Sequence, residues 1–498
     1  MKESVTKKPT IEFFFDQHGC AKNQVDGEQM IAVLLDKTAA QDAHGLAHTF
    51  TQVFDPSHAD VIIINTCGFI ESAKKESLDA LITLRKNCPK AKIIFAGCLA
   101  ERYAEVFLAE LPEADGIFGL ADKTQLADYA LKLLSGETLG DIPQQKNPAT
   151  EITKTAEISE IAKIAEIAEI EEIDRTQLLA GKKSVYVKIT EGCSNHCTFC
   201  AIPLIRGEGR SRPVAAIMRE IKMFLENGVF EINLVGQDIA SHNALSELLE
   251  KISALPGGFW LRLLYIHPDH FPFSILPLMA RDKRLLPYFD IPFQSGSDAI
   301  IRAMGRRGSR SAYIELIEKI RAELPDAVCR TTFLAGFPGE TEDDAQKSAD
   351  FLRTIQSDWS GVFCYSKEDG TVAAKMKNHV KKNIAKNRAQ VLMNIQDEII
   401  AQKLAHCVGR TYDVLIEEVF EASDTATDVE NAQDEKSESC YALCRAWFQA
   451  PEVDGTIVLV FDADSPCAKK ICEGAVVKAH ITAARPPCLE ARLAEGVY

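Results

Sequence analysis

Short apolar runs alternate with helical stretches over the first quarter of the chain. The runs EFFFD at 12–16, VIIINTCGF at 61–69, KIIFAGC at 92–98 and GIFG at 116–119 have the composition of strands, and charged helical segments lie between them. This alternation is typical of a parallel sheet with crossover helices. We therefore predict an open parallel α/β domain over residues 10–137.

The same alternation returns between residues 181 and 405. Six runs there have the composition of strands, namely VYVKIT, EINLVG, WLRLLY, YFDIPFQ, CRTTFLAGF and GVFCYS. Helical patterns such as IELIEKIRAEL at 314–324 lie between them. Six consecutive βα units predict a partial (βα)6 barrel related to the TIM barrel.

Two other segments depart from the α/β pattern. Residues 138–180 contain a run in which Ile recurs every third residue, at positions 158, 161, 164, 167, 170 and 173. On a helix this period carries the side chains around the axis and gives no single buried face, so we predict a solvated low-complexity linker. Residues 406–487 contain short β-rich runs around an acidic stretch at 422–439, which predicts a small all-β barrel of the OB-like type.

Composition and charge narrow the class of protein. The chain has 498 residues, 46% of them hydrophobic and 26% charged, which is enough for about three domains. It has no apolar signal region and no stretch of membrane-spanning length, so we expect a cytoplasmic protein without a membrane partner. Fifteen cysteines in a reducing compartment favour metal ligands over disulfides. The net charge of -16 does not favour RNA binding and suits a basic protein partner.

Cys193, Cys197 and Cys200 form a CxxxCxxC motif directly after the run VYVKIT. A loop at that position can wrap three thiolates around one metal centre. A 4Fe-4S cluster with three protein ligands keeps one iron open for an exchangeable ligand, as catalysis requires. A structural zinc site is the alternative, but such a site prefers four ligands in two spaced pairs, and no partnering CxxC follows at that spacing.

Cys20, Cys67 and Cys98 are far apart in sequence, yet each lies at or just beyond the end of a predicted strand. In an open parallel sheet the carboxyl ends of the strands face one side, where ligands bind, so the three thiols can converge. The alternative for each thiol is a small buried apolar side chain, which is how we interpret Cys88. The coincidence of three strand ends favours a second metal centre.

The CxxxCxxC motif, with the aromatic Phe199 before its last cysteine, resembles the signature of the radical S-adenosylmethionine (SAM) superfamily. The chain from about residue 11 to 485 is similar to methylthiotransferases in the stretches GCAKNQVDGE (19–28), INTCGFI (64–70), AGCLAERY (96–103), EGCSNHCTFCAIPLIRGEGRSR (191–212) and AGFPGETEDD (335–344). The resemblance implies an N-terminal domain, a radical SAM core and a TRAM domain. It also implies two 4Fe-4S clusters, one on the CxxxCxxC motif that cleaves SAM and an auxiliary one on the three strand-end cysteines.

Side chains at the carboxyl ends of barrel strands point into the site of such a barrel. We expect contacts to SAM from residues at strand ends and from one arginine of the fifth strand, namely Gly236, Gln237, Asp238, Gln294, Arg330, Gly336 and Glu340. Glycines also occur in strand-end turns that bind no ligand. Arg206, Arg210 and Arg212 follow the cysteine motif and either hold a carboxylate of SAM or of the substrate, or are solvated.

The methylthiotransferase family has one branch that acts on an aspartate of small-subunit ribosomal protein twelve and another that acts on isopentenyladenosine in tRNA. GCAKN at 19–23, RTTFLAGFPGE at 330–340, YSKEDGT at 365–371 and RAWFQAPEVDG at 445–455 resemble the ribosomal-protein branch, whereas QSGSD at 294–298 looks more like the tRNA branch. Residues 409–498 hold 8 Lys and Arg against 17 Asp and Glu, and a domain that grips RNA should be basic. The resemblance therefore favours methylthiolation of an aspartate β-carbon, with the tRNA reaction as the alternative.

The resemblance also implies partners. The reaction would use two SAM molecules, an electron donor of the flavodoxin or ferredoxin type, and a sulfur donor. A non-catalytic iron-sulfur or scaffold protein is a third hypothesis, which the intact cysteine motif opposes. We further predict that Trp447 and Phe448, beside Glu452 and Asp454, form a surface that recognises the basic substrate protein, unless these carboxylates only cap a strand turn.

Overall fold

A computed structural model describes residues 10–36, 48–120, 122–136, 173–175, 177–179, 183–420, 439–462 and 470–494. The strands in these ranges are β1 (Thr10–Gln17), β2 (Thr49–Gln52), β3 (Val61–Thr66), β4 (Lys92–Gly97), β5 (Gly116–Phe118), β6 (Ser184–Lys188), β7 (Thr190–Glu191), β8 (Arg210–Ser211), β9 (Glu231–Val235), β10 (Trp260–Leu263), β11 (Leu285–Asp290), β12 (Val328–Ala335), β13 (Trp359–Cys364), β14 (Thr411–Phe420), β15 (Ser439–Ala446), β16 (Ile457–Asp462), β17 (Val476–Arg485) and β18 (Cys488–Leu493). The α-helices are α1 (Ala21–Leu35), α2 (Glu71–Asn87), α3 (Cys98–Glu110), α4 (Leu126–Leu134), α5 (Ile202–Arg206), α6 (Val214–Glu226), α7 (Leu245–Ser253), α8 (Leu276–Arg281), α9 (Asp298–Ala303), α10 (Arg310–Glu323), α11 (Glu342–Ile355) and α12 (Lys382–Ala405).

The N-terminal sheet is parallel throughout and has the strand order β2-β1-β3-β4-β5. Its central strand β3 is buried along its whole length, because VIIINT offers apolar side chains to both faces. Helices α1 and α4 cover one face, and α2 and α3 cover the other. The predicted α/β domain is confirmed, whereas the edge strand β2 was not predicted because TFTQ carries too little apolar pattern.

The six predicted strands of the second region form one parallel sheet in the order β13-β12-β11-β10-β9-β6. Its core packs the strands against the surrounding helices, α6, α7, α8, α10 and α11 among them. Helix α11 begins with a capping box between Thr341 and Asp344, which fixes the turn after β12. Among the described residues the two outer strands do not pair, so the predicted partial barrel is confirmed as an open one.

The C-terminal strands close into a five-stranded barrel in the order β14-β15-β16-β18-β17, in which β16 and β18 are parallel and the other pairs antiparallel. The predicted small β-barrel is confirmed. Strand β18 was not predicted, and it lies wholly beyond residue 487, where the predicted domain ends. No helix in the described ranges combines the length and the apolar character that crossing a bilayer demands.

The predicted linker falls mostly outside the described residues, but its last part packs into the protein. Ile173 and Leu179 contact the core beneath α1 and α4. Arg175 is buried and binds Glu28 of α1, Glu220 of α6 and the carbonyl of Tyr186 in β6. The prediction of a solvated segment is wrong for these residues, because an arginine fork that satisfies two carboxylates fixes the chain between the two α/β domains.

Candidate active site between two cysteine triads

The loop that carries Cys193, Cys197 and Cys200 runs from β7 to α5, beyond the carboxyl end of β6. Two backbone bonds anchor it, from the N–H of Cys193 to the carbonyl of Gly207 at 3.1 Å and from the N–H of Thr198 to the carbonyl of Met304 at 2.9 Å. All three thiols are partly exposed. They therefore open into the space above the barrel strands.

A polar network after β10 orients this loop. Asn195 donates from Nδ2 to Cys193 Sγ at 3.4 Å and to Asp238 Oδ2 at 2.8 Å. His267 Nε2 lies 3.8 Å from Cys197 Sγ, and the backbone N–H of His267 donates to Asp238 Oδ1 at 3.2 Å. Burial, assisted by Arg306, lowers the pKa of His267 to about 3, so its ring is neutral. We did not predict this role for His267, although the polar sequence IHPDH after a strand is a usable signal.

The second triad gathers three separate strand ends. Cys20 caps α1 just after β1, Cys67 follows β3, and Cys98 begins α3 directly after β4. Glycines allow this close approach, since a Cβ on Gly19 would lie 2.8 Å from Cys67 Cβ and one on Gly68 would lie 2.8 Å from the Cys98 carbonyl oxygen. The structure thus brings the three cysteine loops together.

Positive charge surrounds the strand-end triad. Arg206 Nη2 lies 3.0 Å from Cys98 Sγ and 2.8 Å from Asp26 Oδ2, and its Nη1 binds Glu191 Oε1 at 2.8 Å. Burial favours the neutral thiol of Cys20, but the charges of Lys22 and Arg206 outweigh it and lower the pKa of Cys20. Burial raises the pKa of Cys98 to about 12 in spite of Arg206. The surroundings therefore favour the thiolate of Cys20, whereas burial favours the neutral thiol of Cys98.

The donor atoms of both triads fit an iron-sulfur cluster. Within the described ranges, no three His, Cys, Asp or Glu side chains converge closely enough to hold one ion. A 4Fe-4S cluster takes each cysteine on a different iron, so its ligands need not meet at one point, and its protein ligands are normally thiolates. Three thiols in each loop set supply that donor chemistry.

Three family models match consecutive parts of the chain. The uncharacterized protein family UPF0004 matches residues 12–119, the radical SAM superfamily matches residues 187–352, and the TRAM domain matches residues 408–493. Among solved structures, the radical SAM methyltransferase TsrM of Kitasatospora setae has a TM-score of 0.53 at 14% identity, and the match covers 72% of this chain and 73% of that one. This structural likeness shows the fold alone.

The curated relatives are similar over nearly the full chain. A protein of Treponema denticola named ribosomal protein uS12 methylthiotransferase RimO is 41% identical, over 96% of this chain and 99% of that protein. A protein of the same name from Thermotoga maritima is 35% identical, over 88% of this chain and 91% of that protein. Another from Thermodesulfovibrio yellowstonii is 32% identical, over 91% of this chain and 94% of that protein. The chain belongs to the RimO family of methylthiotransferases. The RimO family places it among the radical SAM enzymes, which use SAM and 4Fe-4S clusters.

Two of the residues expected to contact SAM have features that suit a ligand in this RimO-family chain. Both amide atoms of Gln237 are buried, and neither has a hydrogen-bond partner in the described part of the chain. Gln294 has a φ of +71°, an uncommon conformation for a residue with a side chain, and its backbone bridges to β12. Asp238 instead binds Asn195 and the backbone of His267, so it positions the loop of the CxxxCxxC motif.

The other expected SAM contacts have partners within the protein. A Cβ on Gly236 would lie 2.0 Å from Thr190 Oγ1, and one on Gly336 would lie 2.4 Å from Ala385 Cβ, so close packing explains both glycines. Glu340 accepts from the N–H of Gly336 at 2.7 Å and from Arg388 at 2.9 Å. Arg330 is the third residue of β12, and its Nε lies 3.5 Å from Asp454 Oδ1 in the C-terminal barrel. Each of these four residues therefore has a contact within the protein, and their contact with SAM stays a prediction.

The three arginines after the cysteine motif also differ from the prediction. Arg206 is buried among Asp26, Glu191 and Cys98. Arg212 is buried as well and donates to Glu220 and to the carbonyl of Lys188, each at 2.7 Å. Protein carboxylates therefore already occupy two of these guanidinium groups, and only Arg210 keeps a buried Nε that has no hydrogen-bond partner in the described ranges.

The predicted recognition surface on the C-terminal barrel is wrong for Phe448 and Asp454, whose side chains are buried in the protein. Phe448 is buried and Trp447 partly so, and their carbonyls accept from Trp359 and Arg262 of the open barrel. The Asp454 side chain is fully enclosed and accepts from Tyr288 Oη at 2.6 Å. Glu452 alone is exposed. The segment inserts into the amino end of the open barrel because its aromatic and carboxylate groups find partners there.

Proposed function

We propose that this chain methylthiolates the β-carbon of an aspartate in ribosomal protein uS12, using SAM and two 4Fe-4S clusters. The observation that carries the proposal is a path of contacts from one triad to the other. Lys22, two residues after Cys20, lies over the ring of Tyr265, and His267, two residues after Tyr265, contacts Cys197. Full-length similarity to proteins named uS12 methylthiotransferases supports the substrate.

In this proposal Cys193, Cys197 and Cys200 hold the cluster that binds SAM, and the strand-end triad holds the auxiliary cluster. When bound, the two clusters supply the electron for SAM cleavage and the site that carries the transferred sulfur. An unactivated C–H bond needs such cofactor chemistry, and the protein supplies binding and orientation. Asn195 and Asp238 orient one loop, and Arg206 holds Cys98 of the other against α1.

The proposal requires further partners. A donor of the flavodoxin or ferredoxin type would supply electrons, and a separate sulfur donor would replace the sulfur consumed in each turnover. Because uS12 is a ribosomal protein, the cytoplasm is the proposed place of action.

The test is anaerobic reconstitution with iron and sulfide, followed by incubation with SAM, reductant and either uS12 or isopentenylated tRNA. We expect mass spectrometry to find a methylthio group on one aspartate of uS12 and none on the tRNA. The variant Cys88→Ala should modify uS12 as the unaltered enzyme does. Cys88 is a buried cysteine outside both triads, with its Sγ 3.3 Å from the Pro56 carbonyl oxygen. Modification of tRNA alone, or of neither substrate while 5′-deoxyadenosine is released, would overturn the uS12 assignment.

A further inference from the structure

Lys22 places a cation in the space between the two triads. Its Nζ lies 3.2 Å from the centroid of the Tyr265 ring, just beyond the carboxyl end of β10. Cys20 is two residues away on one side, and His267, which contacts Cys197, follows Tyr265 on the other. An anion bound to this ammonium group would therefore lie next to both sets of thiols.

The neighbouring cations are already occupied by protein carboxylates. Arg206 and Lys188 share Asp26 and Glu191, and Arg330 faces Asp454. Lys22 differs, since it forms neither an ion pair nor a hydrogen bond with any residue of the described ranges. Besides the Tyr265 ring, the Cys20 thiol and the Asp290 carboxyl group act on its charge, and neither forms a hydrogen bond or an ion pair with it.

The contact with the Tyr265 ring replaces only part of the stabilisation that a carboxylate partner would give to the Lys22 ammonium group. A cation over a tyrosine ring is attracted by the ring's quadrupole alone, which is a weaker interaction than a hydrogen-bonded carboxylate in the same place. Lys22 is half-buried at the wall of the space, so an incoming carboxylate can reach it. Within the described ranges no carboxylate lies at ion-pair distance from Lys22, so the ammonium group can accept the carboxylate of a bound molecule.

We propose that Lys22 binds the side-chain carboxylate of the substrate aspartate and thereby fixes the adjacent β-carbon between the two triads. This inference rests on the proposed function. Holding the carboxylate restrains the neighbouring carbon to a small volume, which is the positioning that a reaction at an unactivated carbon requires. An adenosine has no carboxylate to offer, so binding it would leave Lys22 unpaired, and the same residue disfavours a tRNA substrate.

The α-carboxylate of SAM is the other source of the same chemistry. Lys22 lies on α1, the helix that Cys20 caps, and not on the loop of Cys193, Cys197 and Cys200. This position favours the substrate carboxylate over that of SAM. The experiment below separates the two sources.

The test measures binding of uS12 to the reconstituted enzyme with SAM present, for the unaltered chain, Lys22→Met and Lys22→Arg. Losing a charged hydrogen bond should weaken binding of uS12 about tenfold to a hundredfold in Lys22→Met, with partial recovery in Lys22→Arg. Changing the target aspartate of uS12 to asparagine should weaken its binding to the unaltered enzyme by a similar factor. The same change should weaken binding to Lys22→Met only a little, because the two substitutions remove the same interaction. The matched control is Lys75→Met, because Lys75 is an exposed lysine on α2, and it should bind both forms of uS12 as the unaltered enzyme does.

Three results would overturn the inference. Equal losses with aspartate and asparagine substrates would show that Lys22 does not contact that carboxylate. A loss of SAM affinity in Lys22→Met with unchanged uS12 binding would assign the carboxylate to SAM, and a loss of iron from the N-terminal triad would assign Lys22 to its thiolates. If the unaltered enzyme neither bound nor modified uS12, the proposed function itself would fail. If it bound and modified uS12 but the Lys22→Met and aspartate substitutions acted independently, only the inference about Lys22 would fail.

Discussion

The two ends of the open barrel differ in how completely their buried polar groups are paired. At the amino end, Glu231 binds Arg262 at 2.9 Å and Arg445 at 2.6 Å, and Arg445 also binds Glu417 at 2.6 Å. At the carboxyl end, Lys22 and the amide of Gln237 have no such partner within the described ranges. Paired charges join the C-terminal barrel to the open barrel. Beside the triads Arg206 and Lys188 are also paired, but Lys22 and Gln237 there have no hydrogen-bond or ion-pair partner in the described ranges. We therefore expect changes at the amino end to alter stability and changes at the carboxyl end to alter chemistry.

The largest expected effect on chemistry is that of Cys193→Ala. Removing one of three ligands should forfeit the cluster that binds SAM, so 5′-deoxyadenosine formation should fall below detection. The free energy of unfolding of the iron-free protein should change by less than about 1 kcal/mol, since the thiol is partly exposed. Anaerobic product analysis and urea unfolding give the two measurements. Retained SAM cleavage would contradict the assignment of this triad.

Cys67→Ala should distinguish the functions of the two triads. Loss of the auxiliary cluster alone should stop methylthiolation of uS12 and leave reductive SAM cleavage measurable, and the iron content should fall by one cluster. Iron analysis and mass spectrometry of uS12 check both statements. If methylthiolation and iron content both persist, the strand-end triad is structural.

Glu231→Gln tests the amino end. It leaves Arg262 buried with an uncharged partner and removes one of the two carboxylates that bind Arg445, which should lower the free energy of unfolding by about 3–5 kcal/mol. Iron content and SAM cleavage of the protein that remains folded should be unchanged. The matched control is Glu247→Gln on α7, whose exposed pair with Lys251 should contribute less than about 1 kcal/mol. Equal shifts in urea unfolding for both variants would break the proposed contrast.

Asp454 gives the amino end a pH dependence. Burial raises the pKa of Asp454 to about 6 from the ordinary 3.8, so the folded protein holds a proton that the unfolded chain has released between these values. Its contribution to stability therefore falls as the pH rises from about 4 to about 6. Glu231 acts oppositely, because Arg445 and Arg262 outweigh burial and lower its pKa from 4.5 to about 2, so its contribution is lost as the pH falls through that window.

The measurement compares the unaltered chain with Asp454→Asn by urea unfolding between pH 4 and 7. The difference in their free energies of unfolding should decline with rising pH up to about 6 and then level off. A difference that does not vary with pH would show that Asp454 is not held in its neutral form at this interface.

The smallest expected effect is that of deleting residues 151–172, which lie outside the described residues. The deletion keeps Ile173 and Arg175, so we expect iron content, uS12 modification and unfolding to change little, by less than about 1 kcal/mol for unfolding. Arg175→Met should lower the free energy of unfolding by more than the deletion does, since it leaves Glu28 and Glu220 buried beside a neutral side chain. A large loss on deletion would show that the Ile-rich run is a folded element.

Much of the fold and part of the site could be predicted from the sequence. The run VIIINT identifies β3 without reference to the rest of the chain, because a strand buried on both faces must be apolar throughout. The strand-end positions of Cys20, Cys67 and Cys98 follow from the same pattern. The short edge strand β2 and the packing reasons for Gly236 and Gly336 were not predicted, because each depends on what another segment places beside it.

The sequence by itself determined the order of the main strands and helices, though not β2 and β18, and the spacing of the CxxxCxxC cysteines, since hydrophobic periodicity and covalent spacing are local properties. The tertiary structure alone decided which charges are paired. Asp454 is buried against Tyr288 and Arg330, residues more than a hundred positions away, and was predicted to lie on an exposed surface. Lys22 meets the ring of Tyr265 across two domains. A charged group stabilises the fold where another residue pairs with it, and it can bind a ligand where none does. Those partners come together only when the three domains pack.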